Sequence, residues 1–156
     1  MRDGFGTSKE DKSRRFYKEG ETKEFEHIEC EWPIFYLYMI VDGVFKGLTD
    51  QIELYCKLAT QRILRDSQGD PVVPMYFSVP KDCIQQECAS PGSQKRIPSA
   101  EGSPESLFMW GQSMYIIAQL LTSGLIHINE IDPIRRYLPS SARPRKGFKY
   151  SAFQVE

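Results

Sequence analysis

From Ile34 to Val41 the chain reads IFYLYMIV, eight consecutive apolar or aromatic residues with Pro33 ahead and Asp42 behind. Proline suits the first turn of a helix, where its missing N–H is no loss. A run apolar on every side then predicts a helix buried all round. The thirteen residues from Pro33 to Phe45 fall short of a membrane span, which needs about twenty. From Thr49 the positions Ile52, Tyr55, Ala59, Arg62 and Ile63 recur mostly three or four apart. They predict a second, amphipathic helix with Thr49 as N-cap and Gly69-Asp70-Pro71 as its stop. The short Lys46-Gly47-Leu48 link sets these two helices antiparallel. A third helix is predicted from Ser103 as N-cap and Pro104 at its first turn. Its broad apolar face is Phe108, Met109, Trp110, Met114, Tyr115, Ile117, Ala118 and Leu121, and Gly124 ends it. Ile131-Asp132-Pro133 starts one more short turn through Arg135, Arg136 and Tyr137.

Other stretches lack such periods. Residues 1–24 carry thirteen charges, seven basic and six acidic, and read as a charged surface segment that needs a partner surface to be ordered. Residues 70–106 hold six of the ten prolines. There VVPMYFSVP reads as extended chain and CASPGSQKRIPSAEGSPES as loop. Residues 139–156 read as an extended tail. Three or four helices are too few to surround the Pro33 helix, so the expectation is an all-α fold that is part of something larger. Expressed alone, such a chain is expected to fold poorly.

Composition narrows function mainly by exclusion. The 156 residues fit one domain, with 40% hydrophobic residues and a formal net charge of −1. No basic stripe is present, which argues against nucleic acid as a partner. The first residues have no apolar h-region, and Cys30, Cys56, Cys83 and Cys88 form no CxxC pair, which points to a reducing cytoplasm. His27 and His127 stand a hundred residues apart without further ligands at zinc spacing, so no metal site is expected, and no cofactor. Glu29 and Glu31 sit just before the Pro33 helix. They read either as acid or base in a cleft or as caps on the free N–H groups of the helix. Arg96-Ile97-Pro98-Ser99 and Ser103-Pro104 are short matches to phosphorylation sites, at Ser99 and Ser103, with Ser103 equally an N-cap.

Together, MRDGF, ED-x-x-RR-x-Y, FEHIECEWPIFYLYMIVDGVFKG, MWGQSMYIIAQLL and EIDPIRRYLP resemble the regulatory α and β subunits of phosphorylase b kinase, from end to end. SPGSQKRIPS and DPIRRYLP resemble the β type. In that resemblance Met1 matches an internal family position, which implies a fragment or truncated gene model. The resemblance implies a domain similar to family 15 glucoamylases, an (α/α)₆ toroid with long Pro-rich loops, of which residues 25–138 are the later part. The family's general acid then falls at Glu31, or two residues earlier at Glu29. Its general base lies in a segment like W-S-H-A-E-Y, matched here by Trp110 to Tyr115, with Met114 at the base position. A methionine cannot activate water, and inverting hydrolysis needs two carboxyl groups about 6.5–9.5 Å apart.

The implied protein is a non-catalytic regulatory subunit acting in assembly and inhibition of the kinase that controls glycogen breakdown. Its implied partners are the α subunit, the γ protein kinase and the δ subunit, calmodulin. An oligosaccharide held by Trp32 and Trp110 beside Glu29 and Glu31, without being cut, is a further expectation, with core packing of both indoles as the alternative. The family's prenylation cysteine has no counterpart in the closing residues Ala152 to Glu156, so attachment to the cytoplasmic face of the cell membrane is implied by the family alone. Two other classes remain open. An active hydrolase needs Glu105 or Glu130 as second carboxylate, and a free-standing helical interaction module needs a partner chain for the Pro33 helix.

Overall fold

The computed structural model describes residue 11 and residues 13–143, and these are mostly helical. The helices are α1 (Glu19–Thr22), α2 (Pro33–Lys46), α3 (Thr49–Thr60), α4 (Ile84–Ala89), α5 (Met109–Thr122) and α6 (Ile128–Ile131). Four two-residue strands join them: β1 (Leu64–Arg65), β2 (Pro71–Val72), β3 (Phe77–Ser78) and β4 (Ile97–Pro98). β1 pairs antiparallel with β2, and β3 with β4.

The core is where α2 meets α3 on one side and α5 on the other. Leu37 and Ile40 of α2, Ala59 of α3, Ala118 of α5, and Val73 just past β2 form one buried cluster. Removing an Ile or Leu side chain from water is worth about 1.5–3 kcal/mol, so this cluster supplies a large part of what holds the helices together. The α2/α3 pair is antiparallel, as its short link predicts. Tyr36 meets Tyr55 at 6.1 Å between ring centroids, and the Gln51 side-chain amide donates to the Met39 carbonyl at 2.7 Å. A Cβ at Gly43 would lie 2.9 Å from Ile52 Cγ1, so glycine lets the two helices approach. Gly47, at φ +68°, closes α2 in the left-handed conformation, and Leu48 N–H donates to the Gly43 carbonyl at 2.9 Å.

Several boundaries differ from the sequence reading. α2 is not buried all round in this chain. Phe35 is 58% exposed, because α3 and α5 cover only part of its circumference. Thr49 is the first helical residue and Leu48 the N-cap, with no side-chain cap bond. α3 ends at Thr60, and Gly69 (φ +91°) belongs to the hairpin between β1 and β2. There Asp66 Oδ1 accepts from the N–H groups of Gln68 and Asp70, both at 2.8 Å.

α5 begins at Met109 rather than after Ser103. Ser106 N–H donates to the Ser103 carbonyl (3.1 Å) and Gly102 N–H to the Ser106 carbonyl (2.7 Å), which commits this backbone to a turn. Gly124 (φ +72°) stands just past the end of α5, as expected.

The proline-rich segment is more ordered than its composition predicts. It contains α4, entered through a 3₁₀ turn at Lys81–Cys83, and a helix this short leaves no readable period. α4 and the segment before α2 share a second small cluster of Ile28, Val79 and Ile84. Within the charged amino-terminal segment, α1 and a 3₁₀ turn at Lys23–Phe25 form, and Phe25 is buried with Tyr17 edge-on to it at 4.9 Å. The expected turn after Ile131 is present, with Asp132 accepting from Arg136 N–H and Nε–H. A 3₁₀ turn follows at Ser140–Ala142. The rest of the expected extended tail, from residue 144, and the first ten residues of the charged segment, MRDGF among them, lie outside the described residues.

Candidate functional site

Glu31 is fixed at both its backbone and its carboxylate. Its N–H donates to the Phe77 carbonyl at 3.0 Å and its carbonyl accepts from Phe77 N–H at 2.8 Å, which adds it to the edge of β3. One carboxylate oxygen, Oε1, accepts from the Tyr36 hydroxyl and from Arg62 Nε, each at 2.7 Å. Arg62 lies just past the end of α3, with its guanidinium 5.7 Å from the Phe77 ring centroid. Burial pushes the Glu31 carboxyl up. The bonds from Arg62 and Tyr36 and the charges of Arg62 and Arg96 outweigh it and hold the group below its ordinary value. Burial, and then the carboxylate it donates to, push the Tyr36 hydroxyl up to about 12.

The capping alternative does not describe Glu31. The N-cap residue of α2 is Trp32, which makes no side-chain cap bond, and the Glu31 carboxylate is taken by Tyr36 and Arg62. Glu29 is exposed. The two indoles have different ring partners. Trp32 stacks at a tilt on Tyr76, centroids 5.3 Å apart. Trp110, 46% exposed at the start of α5, meets Tyr38 at 6.2 Å and Phe108 at 6.3 Å. Phe35 continues that second group at 6.3 Å from Tyr38.

Met114 is half-buried and packs on the core cluster around Leu37, Ile40 and Ala118. Glu105 and Glu130, the candidates for a second carboxylate, are placed elsewhere in the fold. Glu130 Oε2 accepts from His127 N–H at 2.6 Å and so caps α6, and Glu105 is exposed in the turn before α5. A cavity of ≈ 130 Å³ lies among Leu37, Ile40, Cys56, Ala59, Tyr115 and Gln119, away from Glu31 and both tryptophans, and is small beside ligand pockets of about 300–1,000 Å³. Among the described residues no three His, Cys, Asp or Glu side chains are grouped to hold a metal ion, and no helix is long and apolar enough to cross a membrane.

The two candidate phosphorylation sites sit in structured turns. Ser99 N–H donates to the Tyr76 carbonyl (2.8 Å), and its hydroxyl donates to the Glu101 carbonyl (2.6 Å) while accepting from Tyr76 N–H (3.3 Å). Ser103, half-buried, belongs to the turn that closes on Ser106. β3 carries both Glu31 and β4 on its edges, so the SPGSQKRIPS loop is joined to the Glu31 cluster through one small sheet.

Sequence reading missed the residues that organise this region. Glu87 is buried, and its carboxylate accepts from Gly92 N–H (2.7 Å) and Gln94 N–H (2.8 Å), which sets the loop's shape. Arg96 donates from Nη2 to the His27 carbonyl at 3.2 Å. Gln112, one residue beyond Gly111, donates to the Pro71 carbonyl (2.9 Å) and accepts from Val73 N–H (3.2 Å), clamping β2 to α5. Arg62 did leave a signal. An arginine in the apolar stripe of a helix calls for a carboxylate partner, because charged side chains are seldom buried unpaired.

No protein-family model matches the chain. It is similar to the probable phosphorylase b kinase regulatory subunit beta of Drosophila melanogaster, 55% identical over 153 residues, which is 98% of this chain and 13% of that protein. It is also similar to the regulatory subunit alpha, skeletal muscle isoform, of Rattus norvegicus, 39% identical over 144 residues, 92% of this chain and 11% of that one. The probable alpha subunit of Caenorhabditis elegans matches at 39% over 138 residues, 88% of this chain and 11% of that one. The chain therefore spans only about an eighth of the curated relatives it matches. Over that span it belongs to the family of phosphorylase b kinase regulatory subunits.

Proposed function

We propose that these residues are part of a β-type regulatory subunit of phosphorylase b kinase and contribute helices to a glucoamylase-like toroid that does not hydrolyse glycosidic bonds. The observation that carries this reading is the gap between 55% identity to a beta subunit and 39% to an alpha subunit over nearly the same residues. The exposed side of α2 and α5, with Phe35, Met109, Trp110 and Ile116 all about half open to solvent or more, supports placing this chain inside a larger helical domain. Met114 packed on the core supports a segment kept for its fold, since a methionine has no group that takes a proton from water. The role in the whole subunit is assembly and restraint of the kinase, with α, γ and calmodulin as partners.

The test replaces the matching segment of the Drosophila β subunit with this chain. The chimera is assembled with α, γ and calmodulin, and sedimentation, kinase activity with and without Ca²⁺, and glucose release from maltooligosaccharides are measured. The expected result is a full assembly with Ca²⁺-dependent activity and no glucose. A chimera that folds but stays outside the assembly overturns the regulatory reading, and released glucose overturns the non-hydrolytic one.

A further inference from the structure

We propose that Arg62 is a positioning residue that holds Glu31 as a lasting ion-pair anchor, so that this carboxylate ties α2, α3 and β3 together and is withdrawn from proton donation. The inference rests on the reading of this domain as a degenerate hydrolase and adds a second, independent cause of silence to Met114.

The argument is one of geometry. A general acid of glycoside hydrolysis must carry a proton at working pH and present it to the leaving oxygen. Environments that achieve this are apolar and free of cations. Glu31 is partly buried too, but it faces a permanent cation and a second hydrogen-bond donor. Two donors converge on the same oxygen, Arg62 Nε and Tyr36 O–H, both at 2.7 Å. Arginine stays charged in proteins and has no acceptor, so its bond to Oε1 exists only with an oxygen offering a lone pair, and it favours the ionised carboxylate. The anchor is itself held in place. The backbone of Glu31 is bonded on both sides to Phe77, and the Arg62 guanidinium lies over the Phe77 ring. The charged groups acting on Glu31 are Arg62 from the end of α3 and Arg96 from the segment before β4, with the Tyr36 hydroxyl from α2. No carboxylate contributes among these, so the charges and hydrogen bonds around Glu31 together favour the anion and outweigh the opposing effect of its burial.

The same contacts explain why the pair joins three elements. Arg62 follows the last turn of α3, Tyr36 lies in the first turn of α2, and the Glu31 backbone extends β3. A protonated Glu31 loses the ionic part of this tie.

The experiment uses the complete subunit in the assembled kinase. A water-soluble carbodiimide with glycine ethyl ester labels protonated carboxyl groups, and the label on the Glu31 peptide is read by mass spectrometry across a pH series. In the unmodified protein the labelling midpoint is expected below the ordinary glutamate value. In Arg62→Gln it is expected to rise by about one to three pH units, the usual effect of a neighbouring arginine on a carboxyl group. Arg62→Lys is expected to keep the midpoint low, and Tyr36→Phe to raise it by less than Arg62→Gln. Greater exposure of Glu31 alone changes the extent of labelling but not its midpoint. An unchanged midpoint in Arg62→Gln overturns the proposal, as does a midpoint at or above the ordinary value in the unmodified protein. Glucose release from the unmodified protein instead overturns the non-hydrolytic reading, a separate outcome.

Discussion

The α2/α3/α5 core and the segment from residue 71 to 106 are ordered by different physics. The core is held by area. Leu37, Ile40, Ala59 and Ala118 touch across helices whose backbone hydrogen bonds are internal. The segment buries apolar side chains as well, Val73 in this same cluster and Val79 and Ile84 in the second, but its backbone is fixed by particular partners. Val73 N–H and the Pro71 carbonyl go to Gln112, Met75 N–H to the Glu101 carbonyl, Tyr76 to Ser99, and Gly92 and Gln94 N–H to Glu87. A core of the first kind tolerates exchange of one apolar residue for another of similar size. A segment of the second kind depends on single atoms.

That contrast is broken most severely at Gly102. It sits at φ +86°, and a Cβ there would lie 2.5 Å from Pro74 Cα and the Val73 carbonyl oxygen. Gly102→Ala adds backbone strain of about 1–3 kcal/mol to overpacking of about 1–3 kcal/mol. Hydrogen exchange on the complete subunit is expected to show loss of protection across residues 71–106, with α3 little changed. Equal loss in both regions would mean that the segment and the core form one cooperative unit.

Leu37→Ala tests the other side. Leu37 is 1% exposed and central to the cluster, and its truncation is expected to cost about 2–5 kcal/mol. Faster exchange of α2, α3 and α5 peptides, measured in the same way, should exceed any change at residues 90–96.

Acid separates the regions further. The bonds from Gly92 and Gln94 hold the Glu87 carboxyl below its ordinary 4.5. A group with a depressed folded value contributes stability that is fully present above the unfolded value and lost as pH falls through the folded one. Loop protection at Gly92 and Gln94 is therefore expected to be constant above pH 4.5 and to fall below it, and Glu87→Gln should abolish that pH dependence. A loop equally protected at all pH values would deny the carboxylate its role. The smallest effect belongs to the exposed Lys46–Asp42 pair, 2.8 Å apart and one helical turn apart on α2. Lys46→Ala is expected to cost about 0.3–0.5 kcal/mol, visible as a minor shift in a urea titration and diminished by salt.

Helices of twelve or more residues were legible because periodicity survives whatever surrounds them. Pro33 at the first turn, Gly47 and Gly124 past the ends, and the antiparallel α2/α3 pair all followed from local chemistry. α4 was not legible, since six residues do not complete two turns. Nor was the start of α5, because Ser103-Pro104 meets every local rule for a helix start, and only the closing of that turn on Gly102 and Ser106 sends it elsewhere.

By itself the sequence determined the family, the mainly helical character and the three long helices. Repeated apolar spacing and long matched motifs are properties of neighbours along the chain. Only the tertiary structure decided which partner each polar side chain found. Glu31 and Arg62 are thirty-one residues apart, Gln112 and Val73 thirty-nine, and no local propensity specifies such pairings. They are set when α2, α3 and α5 pack, because a charged or amide group carried inward by that packing must meet an opposite charge or an open backbone group, or lose its hydration uncompensated.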